Sequence, residues 1–136
     1  MKVMYDDGAY PIQRAYEMDA GYDLRSRESV IIAPCESWDF DVGVHMQIPE
    51  GWCGIVIAKS GLNMKKGILT TGLVDAGYIG SVHVKLYNFG KQYVNIQEGD
   101  KIAQIVIVPC MITNIEEVQS IDGTERGDRG FGSSGR

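Results

Sequence analysis

The stretch Gly72-Leu73-Val74-Asp75-Ala76-Gly77-Tyr78-Ile79-Gly80 sets a carboxylate and a phenol three residues apart among glycines. A carboxylate can orient and deprotonate a water molecule when a neighbour keeps it ionised and the water lies within hydrogen-bond reach. Asp-Ala-Gly is also good turn chemistry, and taken alone Asp75 reads first as a turn residue. Taken alone, Tyr78 reads as half of a cross-strand aromatic pair. Gln104 interrupts the otherwise apolar run from Ile102 to Val108, and a polar side chain inserted there needs a partner. From residue 122 onward, Arg126, Arg129 and Arg136 stand among five glycines, Ser133, Ser134 and one aromatic, Phe131. Such a segment buries too little apolar surface to order itself and is expected to be mobile when free. The same residues suit a tail that closes over phosphate, because glycine lets backbone N–H groups approach an anion and arginine supplies forked donors.

These residues have to be positioned by short elements. Ser29-Val30-Ile31-Ile32, residues 54–58 and residues 102–108 are β-branched runs bounded by Gly, Pro, Asn or Asp, and they predict strands. Residues 81–87 alternate, with Val82, Val84 and Leu86 on one face and His83 and Lys85 on the other. That period of two belongs to a sheet with one face in a core, and it makes His83 a solvent-facing strand histidine. Turns are expected at Pro49-Glu50-Gly51, Gly61, Asn88-Phe89-Gly90 and Glu98-Gly99-Asp100. The stretch from Ser60 to Lys66 has room for a helical turn or two at most. Many short strands with frequent turns point to an all-β barrel or jelly roll. Composition divides the chain into a core, residues 1–120, and a flexible Gly/Arg-rich arm, residues 121–136.

At 136 residues and 15.0 kDa the chain is expected to form one domain. A hydrophobic share of 44% with 23% charged residues excludes disorder and a membrane-embedded fold as the main state. The net charge of −5 argues against non-specific binding to nucleic acid, which needs a basic face. The longest strongly apolar stretch, Ile105 to Ile112, falls far short of the ~20 residues that span a bilayer. Cys35, Cys53 and Cys110 have no zinc-ligand or C-x-x-C spacing and are expected to be buried, reduced thiols. Without a signal-peptide pattern at residues 1–10, the cytoplasm is the expected location.

Five strings stand in a telling order: Ala20-Gly21-Tyr22-Asp23-Leu24, Lys59-Ser60-Gly61-Leu62, residues 72–80, Gly99-Asp100-Lys101-Ile102-Ala103-Gln104, and residues 126–135. Any one would be weak; together, from near residue 18 to the end, the chain resembles the trimeric dUTPases. The resemblance implies a jelly-roll-like β-barrel and Mg²⁺-dependent hydrolysis of dUTP to dUMP and pyrophosphate, by in-line attack of water on the α-phosphate. Such an activity limits uracil in DNA and supplies dUMP for dTMP synthesis. It also implies a homotrimer in which each site draws on several subunits and the tail of one chain closes the site of another.

By the same resemblance, Asp75 is the acid that activates the water, and Tyr78 packs on the deoxyribose, leaving no room for a 2′-OH. Backbone groups around Thr70, Gly72, Leu73 and Val74 form a hairpin that reads the uracil edge, with His83 near the base in some relatives. Lys59, Ser60 and Gly61 match the phosphate-binding turn, and Gln104 matches a donor to a phosphate oxygen. Asp23 matches the acid that holds Mg²⁺ through bound water, a sensible role because magnesium keeps several waters. In the tail, Phe131 would stack on uracil, Arg126 would reach the γ-phosphate, and Gly132, Ser133 and Ser134 would cradle the terminal phosphates.

The chain departs from the family pattern in four places. Lys59 and Lys101 stand where many relatives have Arg, which keeps the charge and loses the planar fork. The uracil segment, residues 68–74, is shorter than in several bacterial relatives and lacks their Asn. Gly77 replaces a second Asp. Two rivals are weaker readings. The dCTP deaminases share the fold, but their catalytic glutamate aligns with Lys85, which cannot accept a proton in its place. A regulatory binder on the same scaffold would have no need of the intact set Asp23, Ser60, Asp75, Tyr78, Gln104 and Phe131.

Overall fold

The structure is a computed structural model and describes residues 1–130. Ten strands and one short helix follow one another as β1 (Lys2–Tyr5), β2 (Gly21–Arg25), β3 (Val30–Ile32), β4 (Ser37–Gln47), β5 (Trp52–Ala58), α1 (Ser60–Lys66), β6 (Ile68–Leu69), β7 (Thr71–Val74), β8 (Ser81–Asn88), β9 (Val94–Ile96) and β10 (Lys101–Pro109). They form two four-stranded sheets, ordered β1-β4-β8-β6 and β2-β10-β5-β7, and a small third sheet, β3-β9. The strands expected from residues 29–32, 54–58, 81–87 and 102–108 are all present, and the fold is the all-β, jelly-roll-like one expected.

The core lies between the two large sheets. Phe40, Val42, Val44 and Met46 of β4 and Val82, Val84 and Leu86 of β8 supply one wall. Leu24, Val56, Ala103 and Ile105 supply the other, each at most 2% exposed. β4 bends where Gly43 takes a φ of +66°, with a register shift against β8 between Asp41 and His45. A Cβ at Gly43 would sit 2.8 Å from the Arg27 guanidinium and 2.9 Å from Ala9, so both the left-handed backbone and the close approach require glycine there. The bend puts the Gly43 carbonyl within 2.9 Å of the Asp6 N–H, which ties the segment after β1 to the sheet.

Two expectations change. Residues 68–74 do not fold back on themselves. β6 pairs with β8 and β7 pairs with β5, so the chain crosses from one sheet to the other at Thr70, itself only 8% exposed. The thiols are free but not alike: Cys53 is buried, Cys110 half-buried, and Cys35 exposed in a left-handed turn with φ +65°. Burial pushes the Cys53 thiol up, helped by its contact with Cys110 and by the Asp75 charge. Among the described residues the strands end at Pro109, and Met111, Ile112, Ile115, Val118 and Ile121 are all exposed. Among the described residues no helix is long and apolar enough to cross a membrane.

Candidate active site

β7 is an edge strand. Its one neighbour is β5, in the register Gly54↔Val74, Ile55↔Leu73 and Val56↔Gly72. The other edge therefore presents unpaired backbone N–H and C=O groups, and these face a cleft of about 250 Å³ lined by Gly72, Leu73, Val74, Asp75, Tyr78 and His83. The candidate base-reading residues, the candidate acid and the candidate sugar platform thus come together. A larger hollow of about 540 Å³, between Arg14, Met18, Tyr22 and Trp52, touches none of the candidate residues.

Asp75 follows the last residue of β7, and its carbonyl accepts the Tyr78 N–H at 3.0 Å, closing a turn. The turn reading is realised by the backbone, which leaves the side chain uninvolved in the turn. Among the described residues the Asp75 carboxylate has no hydrogen-bond or ion-pair partner, and it is exposed at the mouth of the cleft. Tyr78 donates its hydroxyl to the Ser81 carbonyl at 2.8 Å, which fixes the ring across the turn. Gly80 lies directly beneath that ring, where a Cβ would come within 2.6 Å of Tyr78 Cζ. His83 is both the solvent-facing strand histidine and part of the cleft wall. Its Nδ1 lies 3.2 Å from Asp39 Oδ2 with both side chains half exposed.

A second polar centre forms where β2, β5 and β10 run side by side. Asp23 stands opposite Gln104 in the β2–β10 ladder and is only 3% exposed. Lys59 Nζ lies 2.5 Å from its Oδ1, and Lys101 Nζ lies 2.6 Å from its Oδ2. The Lys101 contact is off the direction of a good hydrogen bond and acts foremost as an ion pair. Burial alone would raise the Asp23 carboxyl; the two ammonium groups outweigh it and hold the group below the usual carboxylate range. Each lysine takes one oxygen, so the pair covers both oxygens as a single arginine fork would. Nothing in the sequence indicated that the two departures from Arg meet on the same carboxylate.

Lys59 also occupies the N-cap of α1, with no side-chain cap. Its backbone carbonyl accepts the first helical bond, from Asn63 N at 2.9 Å. The amide groups of Ser60 and Gly61 therefore lack partners within the helix, and space is open beside Gly61. The Gln104 side chain lies over Gly21, where a Cβ would approach its Oε1 to 2.7 Å. Glycine at position 21 is what lets this glutamine lie flat across the strands.

The two centres are not brought together. Neither Asp23, Lys59, Ser60, Gly61 nor Gln104 lines the β7 cleft. Arg126 is exposed, its Nε donating to the Arg129 carbonyl at 2.9 Å within the local turn. Phe131, Gly132, Ser133 and Ser134 lie outside the described residues.

Fold and site together define an all-β, jelly-roll-like domain whose candidate residues gather in two places, the β7 cleft and the Asp23 centre. The dUTPase family model matches residues 8–135. The deoxyuridine 5'-triphosphate nucleotidohydrolase of Clostridium tetani is 38% identical over 100% of this chain and 95% of its own length. That of Tropheryma whipplei is 39% identical over 95% of this chain and 91% of its own. Among solved structures, the Staphylococcus bacteriophage 80alpha dUTPase with dUPNHPP superposes with a TM-score of 0.92 at 30% identity, covering 99% of this chain and 98% of that one. The chain belongs to the dUTPase family.

Proposed function

We propose that this chain hydrolyses dUTP to dUMP and pyrophosphate, with Mg²⁺ carried on the triphosphate and each site shared between copies of a homotrimer. The observation that carries this reading is the cleft along the free edge of β7, where unpaired backbone groups, the unpartnered Asp75 carboxylate and the Tyr78 ring meet. Backbone N–H and C=O groups in fixed alternation suit the donor–acceptor edge of uracil. Cytosine would leave one of them unpaired, at a cost of ~1–3 kcal/mol. Tyr78, braced from below by Gly80, would exclude a ribose 2′-OH by contact. Asp75 would take the proton of the attacking water as its oxygen bonds to the α-phosphorus, while the bond to the bridging oxygen breaks and pyrophosphate leaves.

The Asp23 centre supplies the phosphate side of this reading. Ser60 and Gly61 follow Lys59 directly and Gln104 stands opposite Asp23, and the paired lysines keep a positive face beside a buried, ionised acid. Among the described residues no three His, Cys, Asp or Glu side chains gather round one point, so direct ligands of a divalent ion would have to be phosphate oxygens. Asp23 is 3% exposed and each of its oxygens already faces a lysine, so it would reach such an ion through bound water rather than as a direct ligand. When bound, Mg²⁺ screens the phosphate charge and polarises the phosphoryl oxygens. A related phage phi11 dUTPase structure, with a TM-score of 0.79 at 28% identity, concerns the coordination of a structural Mg(II) ion in that protein.

Two features favour assembly. The base cleft and the phosphate centre lie apart in one chain, so a complete site calls for a second copy. The apolar residues from Met111 to Ile121 are left in water by the single chain, which is the signature of a surface meant to be covered. The arm beyond them would then close over a neighbour's site, Phe131 on the base and Arg126 with Gly132, Ser133 and Ser134 on the phosphates. Removing the chain after Glu125 is expected to leave the assembly folded with little activity; size-exclusion chromatography and a turnover assay check both, and full activity would refute the closing role.

The central test is pyrophosphate release with Mg²⁺ from dUTP, dCTP, dTTP and UTP side by side. Release from dUTP alone is the expected result. Equal release from UTP would overturn the role of Tyr78, and ammonia from dCTP would overturn the reading altogether.

A further inference from the structure

His45 has no part in the site described above, yet its ring joins two segments that matter to it. The side chain leaves β4 just past the Gly43 bend. Its Nε2 lies 3.0 Å from Asp6 Oδ1, in the segment after β1, and its Nδ1 lies 2.9 Å from the Ile79 carbonyl. Ile79 belongs to the turn that carries Asp75 and Tyr78. Two further hydrogen bonds of these residues are local, Tyr78 N to the Asp75 carbonyl and the Tyr78 hydroxyl to the Ser81 carbonyl. The His45 ring thus ties residues 76–80 to side chains of β4 and of the segment after β1, which are far from them in sequence.

Both partners of the ring are acceptors, a carboxylate and a backbone carbonyl. A neutral imidazole has a single N–H; the ionised Asp6 carboxylate, the stronger acceptor, keeps it, and the Ile79 carbonyl is left facing a ring lone pair. The imidazolium alone satisfies both. Its surroundings are built for the charged form. Asp6 and Asp41 face it from the segment after β1 and from β4 itself, and Arg27, from the β2–β3 turn, lies 3.6 Å from each of those carboxylates. Ser81 donates its hydroxyl to Asp41, and Lys2 shares the shallow hollow beside the ring with Met4 and Ile79.

We propose that His45 is a positioning residue that fastens the Asp75–Tyr78 turn to the body of the fold when its ring is protonated and releases it when the ring is neutral. This rests on the reading of Asp75 and Tyr78 given above. The Ile79 carbonyl is the largest influence on the ring and raises its pKa; burial opposes this; Asp6, by hydrogen bond and charge, and Asp41, by charge, raise it further. The net value stands above the ordinary 6.5. The tether is therefore fully present below that ordinary value and is lost as pH rises through the raised one. A looser turn at high pH would bind the nucleoside less well while leaving the chemistry of bound substrate in place.

The test is amide hydrogen exchange over residues 76–81 of the full chain, corrected for intrinsic pH dependence, from about pH 5.5 to about pH 9. Protection in the parent chain is expected to fall at least about fivefold across the His45 titration. His45→Phe should show the low value at every pH, and His45→Gln an intermediate value that does not change with pH. Asp6→Asn should keep the transition but move it to lower pH. In parallel, KM for dUTP in His45→Phe should exceed that of the parent about fivefold at low pH and converge with it at high pH, with kcat little changed. Flat protection in the parent chain, or His45→Phe protected like the parent at low pH, would overturn the tether. A pH-dependent tether in a protein that does not turn over dUTP would leave it standing and sink the reading of the site instead.

Discussion

Asp75→Asn is expected to bind dUTP about as tightly as the parent chain and to turn it over on the order of 10²–10⁴ times more slowly. The asparagine side chain has nearly the same size and reaches the same mouth of the β7 cleft. It can still orient a water, but it cannot take the proton. The parent carboxylate has no partner among the described residues, so the substitution breaks no ion pair, and unfolding midpoints should be almost unchanged. Isothermal titration with a non-hydrolysable dUTP analogue separates binding from turnover. Turnover within a few-fold of the parent would remove Asp75 from the role of base. A loss of affinity equal to the loss of rate would make it a binding residue instead.

The second large effect is on stability, and it shrinks as pH falls. Replacing Lys59 and Lys101 together by Met leaves Asp23, 3% exposed, as a buried carboxylate without its counter-charges. Breaking a buried pair in this way typically costs about 3–5 kcal/mol. The lysines are themselves roughly a third exposed, which places the expectation near the lower end, about 3 kcal/mol. In the parent chain the Asp23 carboxyl lies below its ordinary value, so its contribution is complete above that value and fades as pH falls through the lowered one. In the double variant burial acts unopposed and the carboxyl rises. Its stability should therefore improve as the solution is made mildly acidic, where the parent does not. Urea unfolding at fixed protein concentration over that pH range reads the difference. A double variant that loses stability in parallel with the parent on acidification would show that the lysines do not govern Asp23.

Much of this was legible in the chain itself, for physical reasons. The β-branched runs that became β3, β5 and β10, and the alternation that became β8, are local signals, and local signals survive without the rest of the fold. β4 carried an equally plain one: Phe40, Val42, Val44 and Met46 alternate with Asp39, Asp41, Gly43 and His45, and the first four are all buried. It passes unnoticed because its polar members are two acids and a glycine, residues poor in strands. The crossing at Thr70 is a different matter. Nothing within residues 68–74 says that β6 and β7 belong to different sheets; their partners, β8 and β5, decide it. The Asp23 centre was unreadable for the same reason. Lys59 and Lys101 reach one carboxylate only because the register sets Gln104 opposite Asp23 and Ala103 opposite Ala58. His45 lies outside all five motif strings, and only the three-dimensional contact with Ile79 links it to them.

Every hydrogen-bonded pair of strands in the three sheets joins strands that are not consecutive in sequence. No ladder can therefore begin as a hairpin, and each must first close a long loop, which places folding toward the slow, millisecond-to-second end for domains of this size. Position sharpens the point: β10, the last strand among the described residues, lies in the interior of its sheet, between β2 and β5. On a ribosome adding about 5–20 residues per second, β2 would wait several seconds for its partner. Until Pro109 has emerged, Asp23 has neither Gln104 beside it nor Lys101 to neutralise it. The nascent chain thus acquires the β2–β10–β5 sheet and the Asp23–lysine centre at one moment, and a ribosome stalled before residue 101 would hold a polypeptide with neither.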